Sequence, residues 1–186
     1  MREAAEKYLD HLDGVFKVEP EFQRFSEESE YPPFHILTYR DIPESGMLTS
    51  ITSGISFVDQ PEENNLRPEL LISVVSQDIS WALAIADIGY QHRGKLRFKQ
   101  GDTINFNAKI SEESDMSSFF IWPQGVINES HEMVCLPEWH ILIMGIYPIH
   151  DDERILIHEH GPDWLFNFVE DPCDVRRPSV AYKFKT

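Results

Sequence analysis

Cysteine is scarce: Cys135 and Cys173 are the only two in 186 residues. Two thiols cannot build a disulfide framework, and such sparse usage fits a reducing compartment. Cationic side chains are short as well, with 16 Lys and Arg against 32 Asp and Glu, which leaves a formal charge of −16. Binding to a nucleic-acid backbone or an anionic membrane needs cationic surface that displaces counterions, so both classes of partner are disfavoured. A basic protein would instead be steered toward this chain; the same acidity also serves plain solubility. No apolar run approaches the ~20 residues that a membrane span needs. The longest, Ile141 to Ile149, contains Gly145 and Pro148 and reads as a buried strand. The N-terminus, Met1 to Lys7, is charged and carries no signal-peptide core. These absences predict a cytoplasmic protein that folds as one domain over residues 1–186, with a core that buries roughly 70% of the unfolded surface.

Catalytic signatures are missing too. There is no G-x-S-x-G elbow, no H-E-x-x-H and no G-x-G-x-x-G. Gly89 to Lys95 spells G-x-x-x-x-G-K, but Leu96 stands where a magnesium-binding hydroxyl belongs, and the run follows a helix instead of a strand. The densest group of potential metal ligands is His150-Asp151-Asp152-Glu153 with His158-Glu159-His160. On a helix, ligands converge at spacings of three or four, whereas His158 and His160 are two apart and diverge. A metal-dependent hydrolase built on residues 150–160 is therefore the remote alternative, and neither metal nor cofactor is expected. Cys135, between Val134 and Leu136, reads as a small core residue.

What is present is a mixed pattern. Residues 3–13 form an amphipathic helix through Ala5, Leu9 and Leu12, with Gly14 after it. Strands are expected at Phe34–Tyr39 and Thr49–Val58, the second with Ile51, Ile55 and Phe57 on one face and Gly54 marking a close backbone approach. An acidic loop follows at Asp59–Arg67, then a strand at Leu70–Val75. Asp78 caps the strongest helix, which carries apolar residues on two sides and ends at Gly94. Further strands are expected at Thr103–Asn107, Ser118–Trp122 and His140–Ile149, with acidic residues Glu112, Glu113 and Asp115 between the first two. Asp151 caps a helix through His158, Asp163–Val169 makes a short helical turn, and Val180–Phe184 is a possible last strand. Helices between and after strands indicate an α+β fold, a mixed and mainly antiparallel sheet flanked by helices.

Several blocks in this order resemble the suppressor-of-fused domain family, across about residues 15–178. They are Thr38 to Ser50, Glu69-Leu70-Leu71-Ile72-Ser73, Gly101-Asp102-Thr103-Ile104-Asn105-Phe106 and Ser114 to Phe120. Ile146-Tyr147-Pro148-Ile149-His150-Asp151-Asp152-Glu153 and Asp174-Val175-Arg176-Arg177 complete the set. The family's usual glycine-leucine-serine block is Gly54-Ile55-Ser56 here. The resemblance implies a binding role. The eukaryotic regulator of the family grips an extended peptide as an added strand, and many single-domain bacterial members are thought to neutralise a cognate polymorphic toxin. It therefore implies a non-enzymatic immunity protein with a protein partner, for which the chain's acidity suits a basic toxin domain, with a peptide-binding regulatory adaptor as the alternative. The expected partner-binding residues are Tyr90, Phe98 and Asp102, with the basic pair Arg176 and Arg177. Tyr90 and Phe98 equally suit a core, Asp102 an ordinary turn, and the arginines an internal carboxylate.

Overall fold

The computed structural model describes residues 2–25, 31–59 and 65–184. Strand periodicity and apolar content build one sheet from β1 (Glu21–Arg24), β2 (His35–Arg40), β3 (Leu48–Ser53), β4 (Leu66–Val74), β5 (Thr103–Asn105), β6 (Ser118–Trp122), β7 (Met133–Cys135) and β8 (His140–Ile149). Its order is β1-β2-β3-β4-β8-β6-β5, with β7 paired to the start of β8. Only β4 and β8 run parallel among the pairs; the others are antiparallel. Helix α1 (Arg2–Phe16) precedes the sheet, α2 (Ser80–His92) links β4 to β5, and α3 (Asp151–His160) and α4 (Trp164–Phe168) follow β8. Among the described residues no helix is long and apolar enough to cross a membrane.

Alternation along the strands sorts the core into layers. Leu70, Ile72 and Val74 of β4 join Trp81, Ile85 and Ile88 of α2 on one face. Leu71 points the other way, into a cluster with Tyr8, Leu12 and Phe16 of α1. Farther along that second face, Phe120 and Ile149 pack against Ile157, Trp164 and Leu165 from α3 and α4. The sheet is thus covered by α2 on one side and by α1 and the C-terminal helices on the other.

Several boundaries differ from the sequence reading. α1 runs past Gly14 because Tyr8, Leu12 and Phe16 keep one buried stripe, and Lys17, at φ 58°, closes it instead. The expected strand to Val58 stops at Ser53. The carboxylate of Glu69 takes the N–H groups of Gly54 and Ser56 at 2.9 and 3.0 Å, which bends the chain into a turn. Ile55 consequently enters the α2 cluster and Phe57 the α1 cluster, so they do not share a face. Gly54 does mark a close approach: at φ 141°, a Cβ there would lie 2.9 Å from the Phe34 ring. β1 lies in a stretch for which the sequence predicted no element, and β4 begins inside the expected acidic loop, of which residues 60–64 lie outside the described residues, as do residues 26–30. Residues 180–184 form a 3₁₀ turn and not a strand, because Val180 N–H is taken by Glu153 and Ala181 N–H by Ser179 Oγ. Cys135 is exposed; alternation in β7 turns Val134 inward and Cys135 outward. The cap of α3 is His150, whose N–H donates to Glu153 at 3.1 Å; Asp151 is the first helical residue.

Glu69 sits fully buried in β4 and accepts hydrogen bonds from Thr52 Oγ1, Gly54 N–H and both the N–H and hydroxyl of Ser56. Burial pushes its carboxyl above the ordinary 4.5, against the pull of those donors. Removing the acceptor in Glu69→Ala strands every donor, and we expect a loss of roughly 3 kcal/mol in urea unfolding. A raised carboxyl value means the folded state holds the proton more tightly; that contribution is complete below about 4.5 and drains away as pH climbs toward the folded value. Wild type should therefore lose stability relative to Glu69→Gln as pH rises from 4 toward 8. Parallel urea midpoints for the two proteins across that range would contradict the assignment.

Candidate partner-binding surface

Among the described residues the main path of the sheet ends at β1 and β5, and β7 pairs with β8 alone. β5 is the edge that the Gly101-Asp102 turn delivers. Gly101 N–H donates to Ile121 O, Ile121 N–H to Asp102 O, and Phe106 N–H to Ser117 O. In an antiparallel ladder alternate residues bond the same neighbour. Asp102, Ile104 and Phe106 therefore face β6, and the main-chain groups of Thr103 and Asn105 turn to the open side. Side chains alternate the other way, with Ile104 and Phe106 packed against the α2 cluster. Thr103 Oγ1 lies 2.7 Å from His158 Nε2 on α3, and Asn105 Nδ2 donates to Asp151 at 2.9 Å. The edge thus has an apolar floor toward α2 and a polar wall from α3.

The structure does not gather the expected site residues at this edge: Asp102 stands at its entry, while Tyr90 lies toward β1 and β2. Asp102 accepts the backbone N–H of Lys99 at 2.9 Å, which shapes the turn into β5. Phe98, 5% exposed, belongs to the core cluster of α2, and half-buried Tyr90 packs against that cluster. Tyr90 meets Phe25 and Phe34 edge-on at 6.0 Å. It also underlies the guanidinium of Arg93 at 4.8 Å, a cation that sequence reasoning passed over. Arg93 donates to Pro32 O at 2.7 Å and also lies over Tyr31 and Phe34. A buried arginine one residue past a helix carries no periodic signature, so nothing local would have marked it.

The arginine pair divides. Arg177 is forked onto Glu153 at 2.5 and 2.8 Å, with side-chain exposures of 8% and 0%. Arg176 is mostly exposed and reaches Glu113 at 2.5 Å. Glu113 also accepts from Ser76 Oγ and from Trp81 Nε1 at 3.3 Å. Burial raises the Glu113 carboxyl, but the bonds from Ser76, Arg176 and Trp81 together hold it below its ordinary value. Both arginines therefore hold internal carboxylates. The histidine-rich segment is likewise committed: His158 to Thr103, His150 Nε2 to Arg177 O, and Asp151 to Asn105, Ser118 and Arg154. Among the described residues no three His, Cys, Asp or Glu side chains converge as a metal site. Trp81, Trp139 and Trp164 are buried packing residues and Trp122 is half-buried.

A mixed, mainly antiparallel sheet with one parallel pair, helices on both faces and an edge strand entered through a Gly-Asp turn defines a suppressor-of-fused-type α+β fold. The chain belongs to that family: the family model described as Suppressor of fused protein (SUFU) matches residues 30–179. The fold is shared with a SUFU homologue from Neisseria gonorrhoeae FA 1090, at TM-score 0.74 and 18% identity over 96% of this chain and 97% of the other. The Sufu–Fu complex superposes at TM-score 0.73 and 14% identity, covering 97% of this chain and 93% of the matched chain. Drosophila Suppressor of Fused follows at TM-score 0.69 and 15% identity, where this chain spans 51% of the longer protein. Among curated proteins, Immunity protein YqcF of Bacillus subtilis (strain 168) is 23% identical over 178 residues, 90% of this chain and 92% of that one.

The two arginines should separate in mutagenesis. Arg177→Ala leaves a buried carboxylate without its cation and should lower stability by roughly 3–5 kcal/mol. Arg176→Ala, at an exposed pair, should change it by less than about 1 kcal/mol. Equal effects in urea titrations would mean that Arg177 does not anchor the C-terminal segment.

Proposed function

We propose that this chain is a non-enzymatic protein-binding domain that acts as an immunity protein, neutralising a cognate toxin domain by stoichiometric occlusion. The geometry of β5 carries the binding part of this reading. Outward main-chain groups on Thr103 and Asn105 can accept a partner segment as an added strand, and the alternating floor and wall supply pockets for its side chains. Asp102 shapes the turn into this edge and Phe98 lies in the core cluster behind it, whereas Tyr90 packs beside Phe25 and Phe34 at the β1–β2 end of the sheet and takes no part in it. Arg176 remains at the surface as a polar contact beside Glu113, while Arg177 contributes by fixing the segment that carries it. The immunity part is supported by near-full-length similarity to the Bacillus protein of that name. A formal charge of −16 suits a basic partner, whose encounter would be accelerated by the acidic segments Asp59–Glu63, Glu112–Asp115 and Asp151–Glu153. The similarity to the chain in the Sufu–Fu complex favours one other reading, a peptide-binding regulatory adaptor.

The test is affinity capture of a partner from the native host lysate, then coexpression with the captured toxin domain and titration calorimetry of the purified pair. We expect protection of growth, a one-to-one complex, and an association rate that falls as salt is raised. Thr103→Pro removes an outward N–H without touching the β6 ladder, so it should weaken the complex by about tenfold or more, whereas Thr103→Ala, which loses only the hydroxyl bonded to His158 and keeps the N–H, should leave binding nearly unchanged. Absence of both protection and complex rejects the immunity reading. A cellular regulatory protein bound with the same Thr103→Pro sensitivity would establish the adaptor instead.

A further inference from the structure

The C-terminal helices carry a second surface that the β5 edge does not use. His160 at the end of α3, Trp164 and Phe168 of α4, and Phe184 of the last 3₁₀ turn form one connected group of rings. His160 stacks with Trp164 at 6.3 Å, Trp164 meets Phe168 at 5.4 Å and Phe184 at 5.3 Å, and Phe168 meets Phe184 edge-on at 4.9 Å. Trp164 is buried beneath, whereas Phe168 and Phe184 are 37% and 36% exposed, and Tyr182 beside Phe184 is more exposed still. Exposed aromatics joined in one patch are unusual on a protein surface unless something covers them. The indole N–H of Trp164 has no acceptor among the described residues.

The surrounding charge identifies what would cover it. From Ile155 to Val175 the chain carries Glu159, Asp163, Glu170, Asp171 and Asp174 and neither Lys nor Arg. Three of these acids bracket the rings in sequence: Glu159 precedes His160, Asp163 precedes Trp164, and Glu170 follows Phe168 by two residues. Lys183, on the 3₁₀ turn, is the basic residue of the patch. Aromatic faces carry negative potential and attract guanidinium and ammonium groups, and flanking carboxylates add to that attraction. A neutral apolar segment would gain nothing from the carboxylates, and an acidic one would be repelled.

We propose that the His160–Trp164–Phe168–Phe184 cluster is a docking site for a basic, arginine-bearing segment of a protein partner, separate from strand addition at β5. It shares the premise that the chain binds protein, and its location does not depend on the β5 edge. The probe is a capped synthetic nonapeptide of alternating arginine and glycine, titrated into the ¹⁵N-labelled full chain. Shifts should concentrate on the Trp164 indole and the backbone of residues 160, 164, 168 and 184. Phe168→Ala and Phe184→Ala should weaken the binding by about tenfold. Asp163→Asn with Glu170→Gln leaves the rings in place and should weaken it as well, which keeps the test decisive should an aromatic variant unfold. Shifts scattered over Glu112–Asp115 and Asp151–Glu153, insensitive to these substitutions, would overturn the proposal. Binding of the chain to neutral phosphatidylcholine vesicles through Phe168 and Phe184 would also overturn it, in favour of a lipid surface. Shifts confined to Thr103 and Asn105 would place the cation at the β5 edge, sparing the strand-addition reading while rejecting this one.

Discussion

The buried carboxylate of Glu69 organises the sheet around itself. An unpaired negative charge in the centre of a β-strand is strongly unfavourable unless donors surround it. Here they come from β3 and from the turn that ends it: Thr52, Gly54 and Ser56. Thr52 in turn accepts the N–H of Leu70 at 2.9 Å, so the network closes back on β4. Meeting the needs of this one group ends β3 and sends Ile55 and Phe57 to opposite faces. The same turn brings Gly54 against Phe34, which also approaches Gly89 of α2. The seats of α1 and α2 therefore follow from a polar requirement as much as from apolar pattern.

A second carboxylate does comparable work at the other end. Glu153, fully buried in α3, takes the fork of Arg177, the N–H of His150 and the N–H of Val180. It caps its own helix and fastens the chain's last segment across it. That fastening lets Val180 join the third core cluster and places Phe184 against Trp164. The ring patch at the surface thus depends on an ion pair beneath it. The pair also explains why a basic doublet in an acidic chain divides in role, Arg177 structural and Arg176 peripheral.

The β5 edge combines what the two ends supply. Its floor comes from the α2 layer and its wall from α3, and the Gly101-Asp102 turn sets which main-chain groups face outward. An open edge is an aggregation liability that proteins generally cover or shorten. β5 is three residues long, with Thr103 and Asn105 engaged by α3 and Ile104 by the α2 cluster. A short edge of this kind favours a partner of defined sequence over indiscriminate sheet extension.

The sequence by itself determined the elements whose apolar period was strong: α2, β6, β8 and the turn at Asp102 stand close to where Asp78, Gly94, Gly101 and the alternating residues put them. It also determined charge sign, and the ordered blocks from Thr38 to Arg177 carried the family. Local pattern could not decide how polar groups would be satisfied once buried, because that depends on residues far apart in the chain. Glu69 reaches Gly54, Arg93 reaches Pro32, and Arg177 reaches Glu153, at separations invisible to a period of two or 3.6. Those partners shortened the second strand, made the last segment a 3₁₀ turn, and turned expected contact residues inward. Tertiary structure alone selected which edge stays open, because an edge exists only after every other strand has found its neighbour.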